Sequence, residues 1–197
     1  KMTTPLRRKV IELRAQLSAR FVARESETDA ILAGLLSGEP AILIGPPGTA
    51  KTMMIECLGK LVNAKVFVYL LSRFTEPDEL FGALDIKAYR DGVVRRVVEN
   101  TVLDANIVFL DEIFKASSAI RNTLLRILNE KEYRYGSQVI RVEWLGFYGA
   151  SNEISTDVED MAFYDRLVIR RFVKYVPESA WKELLLRSIE LEDDTNI

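Results

Sequence analysis

The run Gly45-Pro46-Pro47-Gly48-Thr49-Ala50-Lys51-Thr52 constrains this chain more than any other feature, because of what flanks it. Ala41-Ile42-Leu43-Ile44 in front suits a buried strand, while Met54, Cys57, Leu58 and Leu61 behind recur at i, i+3, i+4 and i+7, as on one helix face. Strand, glycine turn and helix is the setting in which G-x-x-x-x-G-K-[ST] cradles phosphates. The helix start offers free N–H groups and the positive end of its dipole. Gly-Pro-Pro-Gly alone also makes a simple tight turn. The attached Lys51 and Thr52 point to a nucleoside triphosphate, with Lys51 reaching the β- and γ-phosphates and Thr52 offering its hydroxyl to Mg²⁺. Ala50 stands where the pattern has its last glycine. A methyl is tolerated there if the residue has helical dihedrals, since only a positive φ demands glycine.

Composition narrows the chemistry further. With 197 residues, 48% hydrophobic and 28% charged, the chain reads as one globular domain over 1–197 with a core of its own. The net charge of −2 argues against a protein that coats nucleic acid generically. No apolar run approaches the roughly 20 residues of a membrane helix, and no signal-like N-terminus is present, so a cytoplasmic location is expected. One cysteine and no histidine exclude disulfide frameworks, structural zinc sites and every mechanism with an imidazole base. Cys57, on the apolar face of the helix after the loop, reads as core filler. What remains is Asp, Glu, Lys, Arg and amides, the toolkit of phosphoryl transfer.

Apolar strands alternate with helices along the chain. Leu6, Val10, Leu13 and Leu17 mark an opening helix, and a second runs from about Glu25 to Ser37, stopped by Gly38 and Pro40. Strands are expected at Ala41–Ile44, Val66–Leu70, Ile107–Leu110, Trp144–Tyr148 and Leu167–Tyr175. Thr75-Glu76-Pro77-Asp78 looks like a helix start, and Ile120, Leu124, Ile127 and Leu128 mark a helix after Ser117-Ser118. A short helix is expected between the last two strands, and Pro177 opens a final helix with Trp181, Leu184 and Leu185. Over residues 83–100, Val93-Val94 and Val97-Val98 flank Arg95-Arg96 behind an Asp91-Gly92 turn, which predicts a hairpin. The whole predicts a parallel sheet covered on both faces. Lys1 before Met2 looks like an added remnant, and Asp193-Asp194-Thr195-Asn196-Ile197 like a cut inside a longer protein.

Three further elements fall where such a sheet gathers its ligand, outside the C-terminal strand ends. Asp111 and Glu112 close the third strand: the first can hold Mg²⁺ directly or through water, the second can polarise an attacking water. Asn152, in Gly149-Ala150-Ser151-Asn152-Glu153, either orients that water or caps the next turn. In Tyr164-Asp165-Arg166-Leu167, an arginine can serve a transferring phosphoryl group or sit in a surface salt-bridge cluster. Arg95-Arg96 reads as a solvated turn or as a contact with phosphates or an acidic peptide.

Together, GPPGTAKT (45–52), TEPDELFG (75–82), IVFLDEIFKAS (107–117), RNTLLRILNE (121–130), GASNE (149–153) and YDRLVIR (164–170) resemble the AAA+ ATPases. Within them they resemble the MoxR family, closest to its RavA-like branch. The resemblance implies a three-layer αβα P-loop core with a five-stranded parallel sheet and a hairpin insertion in helix 2 at 83–100, pointing to a ring's pore. It implies that Gly45, Pro46, Pro47, Gly48, Thr49, Ala50, Lys51 and Thr52 form Walker A, and that Asp111 and Glu112 form Walker B, with Glu112 the catalytic carboxylate. Asn152 matches sensor 1, and Arg166 an arginine finger acting on ATP held by a neighbouring subunit. Adenine is expected near Phe21 and Val22. Ala50 departs from the family pattern, and so does Glu99-Asn100-Thr101, where a glycine is common after the hairpin. The chain stops before the helical lid that carries the sensor 2 arginine, so weak binding and poor hydrolysis are expected of it alone.

The leading expectation is an ATP-hydrolysing, chaperone-like motor that works with Mg²⁺ as a hexameric ring. Such proteins remodel a protein client, often beside a von Willebrand factor A-domain partner. The alternative is a nucleic-acid translocase similar to the MCM helicases, in which Arg90, Arg95 and Arg96 contact phosphates. The net acidity and the uncharged Gly136-Ser137-Gln138 turn weigh against it. A scaffold with little turnover fits poorly with an intact Asp111-Glu112 pair, and an enhancer-dependent transcription activator lacks its G-A-F-T-G-A loop here.

Overall fold

A computed structural model describes residues 4–154 and 157–194, so the Lys1–Met2 junction and Thr195 to Ile197 lie outside it. The chain opens with α1 (Thr4–Ser18) and α2 (Glu25–Ser37), then β1 (Ala41–Ile44), α3 (Lys51–Leu61) and β2 (Val66–Leu70). Two short helices follow, α4 (Pro77–Phe81) and α5 (Ile86–Arg90), then β3 (Ile107–Asp111) and α6 (Ser118–Glu130). The rest is β4 (Glu132–Tyr135), β5 (Gln138–Arg141), β6 (Gly146–Ser151), α7 (Val158–Arg166), β7 (Ile169–Phe172) and α8 (Trp181–Asp194).

Five strands form one parallel sheet in the order β2-β3-β6-β1-β7. Alternation along each strand sends side chains to opposite faces, and two separate cores result. Ile42, Ile44, Val108 and Leu110 face α4, α6 and α7 through Leu80, Ile120, Leu124 and Phe163. Ala41, Leu43, Ile107 and Phe109 face α1, α2 and α3 through Leu17, Ile31, Met54 and Leu58. The expected three-layer αβα core is therefore present, with β1, β3 and β6 in its middle. Leu43, Ile55 and Phe109 are wholly buried, and truncating such a side chain to alanine costs about 2–5 kcal/mol. The Tyr148 hydroxyl donates to the Ile31 carbonyl at 2.8 Å and pins α2 to the sheet. Gly38, at φ 72°, closes α2 in the left-handed conformation the sequence suggested.

The stretch 83–100 departs from the expected hairpin. Its only strand-like pairing is a single antiparallel bridge, Leu84 to Arg96, and between those residues the chain coils into α5. Asp85 is the reason: its side chain caps the helix by accepting from the N–H groups of Lys87 and Ala88 at 3.0 and 3.1 Å. The Arg96 backbone is occupied as well, since its N–H donates to the Gln138 side chain at 2.9 Å. The true hairpin lies at β4–β5, with Gly136 at φ 56° in its turn. Neither arginine of the pair is free: Arg95 binds Asp85 at 2.9 Å, while Arg96 pairs with Asp78 and lies 4.2 Å from the Tyr135 ring centroid.

Candidate functional site

The phosphate-loop residues leave β1 and enter α3 as their pattern requires. The Gly45 N–H donates to the Ser151 carbonyl of β6 at 2.9 Å. A Cβ on Gly45 would lie 2.1 Å from the Val173 carbonyl oxygen, so only glycine fits between the loop and the end of β7. Pro46 and Pro47 carry the turn, Gly48 adopts φ 74°, and the Thr49 hydroxyl donates to the Pro46 carbonyl at 2.9 Å. Ala50 has φ 64° and ψ 19°, which corrects the helical dihedrals on which its tolerance was expected to rest. The alanine sits in the left-handed region, where a Cβ costs roughly 1–2 kcal/mol.

Lys51 is 6% exposed and turns back on the loop, donating to the Gly45 and Pro46 carbonyls at 2.7 and 2.9 Å. Burial lowers its pKa and the charge of Arg24 acts in the same direction, while Asp111 and Glu112 oppose both. Among the described residues this ammonium is held by carbonyls alone, with the carboxylates of Asp111 and Glu112 near. Thr52 lies in the first turn of α3 beside it.

β6 lies between β1 and β3, so the C-terminal ends of these strands bring the remaining groups together. Asp111 ends β3 and accepts the Glu112 N–H at 2.9 Å. Glu112 itself is left-handed at φ 54°, a conformation that turns its side chain out of the strand line. The Asn152 amide Nδ2 donates to Glu112 Oε1 at 2.6 Å, and Lys115 Nζ stands 3.4 Å from Oε2. Both carboxylate oxygens of Glu112 are thus engaged.

A mostly apolar cavity of about 400 Å³ opens beside the loop, lined by Phe21, Val22 and Arg24 together with Gly48, Thr49 and Leu184. It has the size of a small-ligand site. Arg166, by contrast, is exposed and bonds Asn129 Oδ1 at 2.5 Å beside Gly38 and Pro40, near the N-terminal ends of β1 and β7. The length of β1, about 3.3 Å per residue, separates it from the phosphate loop of its own chain.

Among the described residues no cluster of three or more His, Cys, Asp or Glu could hold a metal on its own. Mg²⁺ is commonly bound through only one or two protein oxygens, its other positions filled by water or phosphates. The oxygens of Thr52, in the first turn of α3, and Asp111, at the end of β3, are the ones that could hold it here. Sequence reasoning missed Arg24 and Lys115. Lys115 was legible as the cation three residues after Glu112, but the burial of Arg24 carried no signal.

The fold and this gathering of loop, acidic pair and amide define a P-loop ATPase-type core of the AAA+ class. Over residues 8–197 the chain matches the family model described as the MoxR domain in MoxR–vWA–β-propeller ternary systems, and it belongs to that family. It is 38% identical over 189 residues to an uncharacterised protein of Methanocaldococcus jannaschii, covering 94% of this chain and 48% of that protein. It is 26% identical over 118 residues to the chaperone MoxR1 of Mycobacterium tuberculosis, covering 60% of this chain and 30% of that protein. A crystal structure of a candidate ATPase from Cytophaga hutchinsonii superposes with a TM-score of 0.72 at 21% identity, over 92% of this chain and 56% of that one. The chain spans about half the length of the first curated relatives it matches, 48% of each. Among the described residues no helix is long and apolar enough to cross a membrane.

Proposed function

We propose that this chain is the ATP-binding and ATP-hydrolysing αβα unit, residues 1–197, of a cytoplasmic MoxR-type motor whose helical lid lies outside it. The observation that carries the reading is the contact of Asn152 with Glu112 at adjacent strand ends beside the Lys51 loop. Gly45 to Thr52 hold the phosphates, Thr52 and Asp111 hold Mg²⁺, and Glu112, aligned by Asn152, activates the attacking water. Phe21 and Val22 receive the base. Arg166 cannot serve its own loop, which supports its action on ATP bound by a neighbour in a hexameric ring. The description of the matched family supports a von Willebrand factor A-domain partner and a β-propeller component, with a protein client as the object of the work. Assignment to the RavA-like branch rests on the quoted motifs alone. With Arg95 and Arg96 tied inside the chain, a nucleic-acid translocase has less to grip with.

A mixing experiment tests the proposal in the intact protein. Lys51→Ala is expected to lose ATP binding, and Arg166→Ala to bind ATP without turnover. Mixed under conditions that form joint assemblies, the two restore activity at the interfaces that pair an intact loop with an intact arginine. Normal ATP affinity of Lys51→Ala, or mixing that rescues nothing in demonstrated mixed rings, overturns the corresponding role. Sizing with and without ATP tests the ring, and a salt-dependent DNA-binding assay tests the translocase.

A further inference from the structure

Arg24 is a buried cation with almost nothing to hold it. It is 5% exposed, and among the described residues its guanidinium makes one long hydrogen bond, from Nη1 to the Ala23 carbonyl at 3.4 Å. Among the described residues no carboxylate forms an ion pair with it. The chain's other shielded arginines are matched: Arg121 meets Asp160 at 2.8 Å, and Arg96 meets Asp78. A buried charge left without a counter-ion is costly, and proteins retain one only where something else compensates it.

Position indicates what compensates this one. Arg24 lines the cavity between the Phe21-Val22 wall and the loop residues Gly48 and Thr49. Among the described residues the same cavity is bordered by Arg20, Lys60 and Arg187, against a single acidic side chain, Glu56. A second and independent observation is backbone strain next door. Ala23 has φ 54°, a left-handed conformation an alanine adopts at a cost, and it sets the direction in which Arg24 leaves the start of α2. Strain and an uncompensated charge therefore coincide at the mouth of the phosphate loop.

We infer that Arg24 is an anion-binding residue of this cavity, its guanidinium donating to the phosphates nearest the ribose of a bound nucleotide. The inference rests on the nucleotide reading proposed above and adds to it a second cation beside Lys51. The two divide the work by geometry. Lys51 is a point charge at the base of the loop, whereas Arg24 offers a planar fork that meets two phosphate oxygens at once. With a polyphosphate bound, one ligand neutralises both buried cations, which otherwise repel each other.

The test compares wild type, Arg24→Met, Arg24→Lys and Lys51→Ala in the intact protein, by calorimetric affinity for Mg-ADP and by thermal melting without nucleotide. Methionine keeps the volume and removes the charge. Arg24→Met should melt at the same temperature as wild type or higher, yet bind Mg-ADP at least tenfold more weakly. Arg24→Lys should recover part of that loss, since it restores charge without the fork. A lower melting temperature for Arg24→Met identifies Arg24 as a structural cation and overturns the inference, as does affinity within twofold of wild type. Should folded wild type bind no Mg-ADP, the nucleotide reading itself falls. Should wild type bind and only Arg24→Met prove indifferent, that reading survives and the role of Arg24 alone is lost.

Discussion

Asn152 Nδ2 donates to Glu112 Oε1 at 2.6 Å, joining the ends of β6 and β3 across the site. The two side chains come from adjacent strands, so their separation is set by sheet spacing and not by loop sampling. Glu112→Gln keeps the shape and removes the base. It is expected to bind ATP and to lower turnover by about 10² or more, within the range ascribed to a positioned general base. Undiminished phosphate release from this variant rules the role out. Asn152→Ala should lower turnover while leaving ATP affinity near wild type.

Ala50 carries a methyl at φ 64°. Replacing it with glycine relieves roughly 1–2 kcal/mol of strain and gives back part of this as unfolded-chain entropy. Ala50→Gly should therefore gain about 0.5–1 kcal/mol and melt a few degrees higher. An unchanged or lower melting temperature shows that the loop does not hold this conformation in solution.

Arg121 ties the turn after Glu112 to α7. Its Nη1 donates to the carbonyls of Phe114 and Ala116 at 3.0 and 2.7 Å, while Nη2 meets the buried Asp160 at 2.8 Å. Removing one partner of a buried pair leaves the other uncompensated, at a cost of about 3–5 kcal/mol. Arg121→Met should show that loss in chemical denaturation, and adding Asp160→Asn should recover much of it. A double variant no more stable than the single one would show that the pair is not the source.

Asp85 gives a pH signature. The Ala88 backbone bond, then Arg95, hold its carboxyl below the usual aspartate range. A folded value below the unfolded one means a contribution fully present above the unfolded pKa, near pH 4, and lost as pH falls through the folded value. Because the carboxylate caps only the short α5, the effect should be local. Amide exchange over Ile86 to Arg90 should quicken on acidification, and Asp85→Ala should give the fast rates already at neutral pH. Rates in the variant equal to wild type at pH 7 would remove Asp85 as the cap.

The sheet was legible because β1, β3 and β6 are buried on both faces, and buried strands read as unbroken apolar runs. The β4–β5 hairpin was harder to read. Tyr133 is buried but its neighbours Glu132 and Arg134 are charged, and only the alternation and the Gly136-Ser137 turn betray it. Over 83–100 the valines suggested strands. The arms do exchange two backbone bonds, from the Asp85 N–H to the Arg95 carbonyl and from the Val97 N–H to the Ala83 carbonyl, but the Asp85 cap coils the chain between them into α5. Lys51, Asp111, Glu112 and Asn152 announce themselves by motif. The burial of Arg24 with no ion-pair partner among the described residues does not, because it is a fact about three dimensions.

The contact between Gly45 and Val173 has a mechanical consequence. These two segments meet backbone to backbone, with no side chain between them that could switch rotamer and absorb a shift. Such a joint has no slack. Any displacement of the loop on taking up a ligand must push on the end of β7, and from there on the chain that leads into α8.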